Sequence, residues 1–380
     1  MKKIISLFLI LFVFCLCFTL ACAEPVSDNE YIDSQLNESG VTDVYNDLDK
    51  QTKELLKDLG IDEVNFEKVF NISFSSFFDS LAEIFKSKMK TPFNCFLSII
   101  AIIVLCATLG GLNDGFNKQM TSGTFNTAAA LFVSVVIIVP LGKCISAVSS
   151  SIEAASAMMI SLVPILCILA ASTGKVFSSV ALNALGVGCA QAVSEVCSVI
   201  LMPVFNCLLG VGIVGAVAPE YRIDEIIGAL RKYLSIGLGL MASVYFSVLG
   251  VKSSLAGTSD TVGLKTAKLL VSDFVPVIGS AISDSIGTIS SYIGVTRSVV
   301  SAFGIIAVLA IFLPVTVQSL IWIFVLGVSS AAAGVFGLKS IESLLKCAAS
   351  TVSVLLVILV FIILLFIVNL GIVLMIRGGG

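Results

Sequence analysis

At 380 residues, with 57% hydrophobic side chains, 12% charged ones and a mean hydropathy of +1.09, the chain lies far outside soluble domains, in which roughly a quarter of residues are charged; an integral membrane protein is expected. Histidine is absent, which removes histidine-based triads, the usual zinc sites and haem ligation by histidine. The net charge of −3 is unevenly spread, with fifteen acidic and seven basic residues over 24–90 and ten acidic and thirteen basic from 91 onward, and neither part has the basic cluster that would make nucleic acid a partner.

Lys2 and Lys3 precede an apolar run over 4–20, and Ala21, Cys22 and Ala23 then place small residues where a signal peptidase reads. Residues 1–23 are therefore expected to be a secretory signal peptide, with an uncleaved anchor as the main alternative. Residues 24–90 are then delivered outside the cytoplasm. Their first part, to about residue 40, is polar and acidic and suits a flexible spacer. Val44, Leu48, Leu55, Leu56 and Leu59 form a helical stripe that should end at Gly60. Phe70, Phe74, Phe77, Phe78, Leu81 and Phe85 form a second, closed by Lys86, Lys88 and Lys90. These phenylalanines need a partner, whether the first helix, the membrane surface or a helix of another protein.

From residue 91 the chain reads as a membrane domain. Apolar runs over 93–109, 125–141 and 154–171 each approach the roughly 20 residues that cross a bilayer core. Residues 176–218 could make two passes, or one pass and a half-helix. A charged connector over 219–232 precedes a run over 233–251, and runs over 303–325 and 350–376 close the domain, separated by 327–337 and a charged segment over 339–346. The count is seven or eight, with seven preferred. Seven spans put Lys252, Lys265, Lys268 and Arg297 in the cytoplasm, whereas eight put Arg222, Arg231 and Lys232 there. The expected fold is all-α and polytopic: signal peptide 1–23, acidic extracytoplasmic helical region 24–90, first helix group 91–251, polar segment 252–300 and last helices 301–380.

Within 176–218, Gln191, Ser194, Glu195 and Ser198 share one helical face of an otherwise apolar run. An ionisable group at membrane depth costs on the order of 3 kcal/mol, so Gln191 and Glu195 are candidates for a polar path. A structural hydrogen bond, or a position nearer the interface, is the competing reading. Glu153 and Lys143 fall near span ends and can snorkel. Gly210, Gly212 and Gly215 match the spacing of a dinucleotide-binding loop, but inside a membrane run rather than between a strand and a helix. The eleven cysteines include no CxxC pair and read as small hydrophobes. No catalytic residue, metal site or cofactor is expected. Gly186, Ala190 and Ser194, and Gly327 and Ala331, fall in helical register and suit close packing of helices within the chain or between subunits.

Residues 250–300 depart from this pattern. Lys252, Asp260, Lys265, Lys268, Asp273, Asp284 and Arg297 fall too close together for a bilayer-spanning run, while Ile278, Ile282, Ile286, Ile289 and Ile293 mark one face of an amphipathic helix. Pro276 and Gly279 predict a break at its start. Such a segment lies on the interface, lines a water-filled cavity or forms a re-entrant hairpin, and Lys268, Asp273, Pro276, Gly279 and Asp284 are its candidate path or hinge residues. Asp260, Lys265, Thr266, Ala267 and Lys268, then Phe274, Pro276, Val277, Gly279 and Asp284, resemble the signature region of the stage III sporulation protein AE family of endospore-forming bacteria. The resemblance implies a non-enzymatic subunit of the stage III sporulation A complex, in the mother-cell membrane around the forespore. It implies a channel-forming or export-gate role in a secretion-like transenvelope assembly, with a ring-forming protein, the ATPase stage III sporulation protein AA and, through the complex, stage III sporulation protein Q as partners. The residues by themselves leave open a homo-oligomer, an independent transporter of a small solute and a structural anchor.

Overall fold

The computed structural model describes residues 29–70, 74–113, 122–173, 176–217 and 279–375, with scattered positions between 225 and 247, and the regular structure there is helical. Four short helices come first: α1 (Asn29–Glu38), α2 (Val41–Asp47), α3 (Lys50–Asp58) and α4 (Phe66–Phe70). Residues 29–38 were expected to be a spacer, yet Ile32 and Leu36, one turn apart, are both fully buried. Two aliphatic side chains hold a helix in place once a membrane bundle supplies the opposing surface. The stripe from Val44 to Leu59 is split, because the chain turns extended at Leu48 and Asp49 caps α3 by accepting hydrogen bonds from the Gln51 and Thr52 amides. It ends at Gly60 as expected, with φ at 91°.

The remaining helices are long: α5 (Phe74–Asn113), α6 (Ser122–Ser172), α7 (Val176–Val196), α8 (Met202–Val217), α9 (Gly279–Val335) and α10 (Lys339–Met375). Five apolar stretches on them are long enough to cross a membrane, at Ser76–Leu109, Asn126–Ser172, Gly186–Ala216, Tyr292–Val335 and Lys339–Gly371. The expected spans 125–141 and 154–171 are thus parts of one helix, without a reversal at Gly142. The reason is a buried stripe that never loses its period: Leu141, Cys144, Ile145, Val148, Ile152, Ala155 and Met159 are all buried. The same principle merges the phenylalanine-rich run with the first span in α5 and the charged segment 339–346 with the last span in α10, and in α9 one helix carries both the segment from Gly279 and the span 303–325. Of the phenylalanines, Phe70 and Phe77 are buried, while Phe78 and Phe85 are 58% and 48% exposed.

Side-chain contacts give the register. α6 and α7 form an antiparallel hairpin in which Gly186 faces Val163 and the buried Cys197 thiol meets Ser149. A second hairpin, α9 and α10, turns at Gly337, where the Leu338 amide donates to the Ala333 carbonyl at 3.0 Å. Along it Ser330 donates to the Glu342 carbonyl at 3.2 Å, and the Phe312 and Phe366 ring centroids lie 6.4 Å apart. Gly304 on α9 touches both Leu162 on α6 and Leu370 on α10, which joins the hairpins. Of the small residues in helical register, Gly186 and Ala190 are buried between helices, whereas Gly327 and Ala331 are exposed.

Helices α1 to α4 form a cap over one end of this bundle. Thr296 on α9 donates to the Gln35 side-chain carbonyl at 3.0 Å, the Tyr45 and Phe303 rings are 6.2 Å apart, and Gly40 approaches Ile165 on α6. Arg297, 1% exposed, therefore lies at the cap end, and the turn with Lys339 and Lys346 lies at the other. Arg297 and the cap lie at the same end of the bundle, so an extracytoplasmic N-terminal region would carry Arg297 with it, whereas the preferred seven-span layout puts Arg297 in the cytoplasm. A phosphatase reporter active only outside the cytoplasm is expected to be active after Lys57 and silent when inserted at Gly337; activity at both positions would contradict the hairpin.

Candidate functional site

Of the residues singled out in the polar segment, Lys268, Asp273 and Pro276 lie outside the described residues. Gly279 is the first residue of α9, and Asp284 lies in that helix. The other two candidates are clear: Gln191 and Glu195 are exposed on α7, with Ser198 continuing the same face. Glu195 points away from the bundle core, because the opposite face of α7, at Ala190, Val193 and Cys197, is the buried one.

The structure adds residues on α6 to this polar face. Lys143, Ser146, Ser150 and Glu153 are all exposed on α6, and their spacing of three, four and three residues is the helical period. The Ser149 hydroxyl donates to Glu153 at 3.2 Å, and Ser149 also meets Cys197. Glu153 and Glu195 therefore lie at similar heights on the α6–α7 hairpin. The two polar faces make one band, flanked on α6 by exposed Val135 and Val139 on one side and Ile160 on the other. Two carboxylates facing hydrocarbon would each cost on the order of 3 kcal/mol, so this face meets water, headgroups or protein.

A five-residue π-turn, Cys197–Leu201, follows Glu195, closed by the Met202 amide donating to the Cys197 carbonyl. Pro203 lacks the amide that would continue the α-helical ladder to Val199. The wider turn also keeps Val193, Cys197, Leu201 and Phe205 buried, although three successive steps of four residues drift around an ordinary α-helix. Ser198, inside this turn, donates to the Glu195 carbonyl at 3.2 Å.

The band contains a lysine, two acids, an amide and hydroxyls, and among the described residues no cluster of acids and cysteines is placed to hold a metal. A small pocket between α6, α8 and α10 is lined by Leu141, Leu209, Gly212, Leu344 and Cys347, a surface suited to packing rather than to chemistry. On α9 every residue from Val299 to Val317 is buried, so the interface between the hairpins is filled. Glu195→Ala should leave protein level and membrane insertion intact, because the side chain supports no core contact. Loss of the protein on immunoblots of membranes would instead make Glu195 a structural residue.

The chain matches the family described as stage III sporulation protein AE over residues 57–377. A curated relative described as stage III sporulation protein AE, from Bacillus subtilis (strain 168), is 24% identical over 232 residues, covering 60% of this chain and 57% of the relative. No solved structure matches.

Proposed function

Because the chain belongs to the stage III sporulation protein AE family, we propose that it is the channel-forming or export-gate subunit of a transenvelope complex in the mother-cell membrane around the forespore. It acts without catalysis of its own, alongside the other stage III sporulation A proteins, with the ATPase AA as the energy source and the ring-forming members and stage III sporulation protein Q continuing the path. The observation that carries this reading is the polar band with Glu153 and Glu195 on the outside of a bundle whose inter-hairpin core is filled. A self-contained transporter needs its polar path inside the helix bundle. Here the polar surface faces outward, which suits a wall that neighbouring subunits complete.

The test is made in the native spore former. Glu195→Ala and the Glu153→Ala, Glu195→Ala double variant, at normal protein level, should yield fewer heat-resistant spores with forespores stalled after engulfment. The double variant should be the more severe. Normal sporulation of the double variant would remove the band from the conduit.

A further inference from the structure

We infer that the bundle enters the bilayer only with the half that points away from the cap, that the cap-side half projects beyond the membrane, and that the polar band lies at the boundary, at the height of the phospholipid headgroups. The first observation is length. Helices α6 and α9 have 51 and 57 residues, which at about 1.5 Å per residue makes them about 75 and 85 Å long. A hydrocarbon core is about 30 Å thick and spanning helices tilt by about 20° on average and 40° at most. A large part of each helix therefore stands outside the hydrocarbon.

The second observation is where large apolar side chains are exposed, because a lipid-facing surface is apolar throughout. Away from the cap these are Leu105 on α5, Phe132 and Val135 on α6, Val214 on α8, and Phe324 and Val328 on α9. Toward the cap, α9 is buried continuously from Val299 to Val317, and the exposed large apolar residues reduce to Phe78, Phe85 and Met89 on α5 and Ile160 and Ile168 on α6. Scattered apolar residues of that kind are ordinary on a water-facing surface.

The third observation is where polar residues interrupt the apolar sequence. On α5 the charged run ends between Lys90 and Phe93, on α6 the interruption is Lys143 to Glu153, and on α7 it is Gln191 to Ser198. From each of these points to the helix end away from the cap there remain roughly 20 residues, the length that crosses the core. Lysines and carboxylates at that height reach phosphate and ammonium headgroups with their stems in the apolar layer. This placement follows from helix geometry and stands whether or not the band lines a conduit.

The test is a depth profile along the exposed face of α6 in the full chain, reconstituted in phosphatidylcholine and phosphatidylglycerol liposomes. Spin labels are attached singly at Val135→Cys, Val139→Cys, Ser146→Cys, Ser150→Cys, Ile160→Cys and Ile168→Cys, in a Cys15→Ser, Cys17→Ser, Cys22→Ser, Cys207→Ser background, Cys207 being the exposed thiol among the described residues. The ratio of oxygen to nickel-chelate accessibility should be highest at Val135, fall several-fold by Ser150, and be lowest at Ile160 and Ile168. A maximum at Ser150 would put the band in the bilayer centre, a maximum at Ile160 would invert the placement, and a flat profile would remove the boundary; each overturns the inference. In the unmodified chain, Cys207, exposed on α8, should resist a charged maleimide in liposomes until the protein is denatured. Its prompt labelling would overturn the inference without any substitution.

Discussion

Gly304→Leu should cost more than about 3 kcal/mol and prevent the two hairpins from closing. A Cβ added at Gly304 would lie 2.5 Å from one methyl of Leu162 and 3.1 Å from one of Leu370. Both leucines are fully buried, so neither can move aside without disturbing a close-packed core. Overpacking of this kind costs about 1–3 kcal/mol, and leucine adds three carbons beyond the colliding one. Against a net stability of roughly 5–15 kcal/mol for a folded domain, that is enough to lower the protein's abundance. The measurement is thermal aggregation in detergent, with Gly327→Leu as control, since Gly327 has open space around it. Leu162→Ala should restore part of the loss when combined with Gly304→Leu, because the two sites share one volume. Additive losses would show that the contact is not the cause.

Tyr45→Ala should release the cap while leaving the long hairpins folded, at a cost of about 3 kcal/mol, the lower end for removing a buried aromatic. Tyr45 is 7% exposed, its ring packs on Phe303, and its hydroxyl donates to the Ile61 carbonyl at 3.4 Å. Limited proteolysis should then cut within residues 29–70 much faster than in the parent, while the fragment carrying α6 to α10 persists. Tyr45→Phe keeps the ring and should cost about 1 kcal/mol. Burial pushes the Tyr45 phenol above its ordinary value, with Asp62 and Glu63 adding to the effect. The folded cap therefore holds the neutral phenol, and its contribution is complete below the unfolded value near 10 and is lost as pH rises beyond it. Proteolysis of the parent should accelerate above about pH 10, and Tyr45→Phe should be less sensitive there. An identical alkaline response in both would assign the opening to another group.

The Asp62–Lys68 pair within the cap behaves in the opposite sense. Lys68 lies 2.6 Å from Asp62 and holds its carboxyl below the usual range. Its small contribution is present above the ordinary aspartate value and is lost as pH falls through the lowered one. Asp62 is exposed and Lys68 only half-buried, so solvent weakens the pair and acid alone is not expected to open the cap.

The sequence determined the class of the protein: the apolar composition, the helical period of nearly every run, the stop at Gly60 and the polar face of Gln191 and Glu195 can all be read from residue order, because local periodicity and backbone propensity act within a few turns. Span boundaries were not legible. A boundary in hydropathy, as at Gly142 or just before Phe303, is no boundary of the helix when the buried stripe keeps period, and only the opposing helices show that Cys144, Ile145, Val148 and Ile152 are a buried face. Lys143, Ser146, Ser150 and Glu153 had the spacing of a polar face, but their kinship with Glu195 depends on the α6–α7 register, set by Gly186 against Val163 and Cys197 against Ser149. The docking of the cap on the bundle was decided by tertiary structure. Ile32, Leu36 and Tyr45 pack with the other buried apolar residues of α1 to α4 against α9, which, more than two hundred residues along the chain, supplies Thr296 and Phe303 as the other half of their interface.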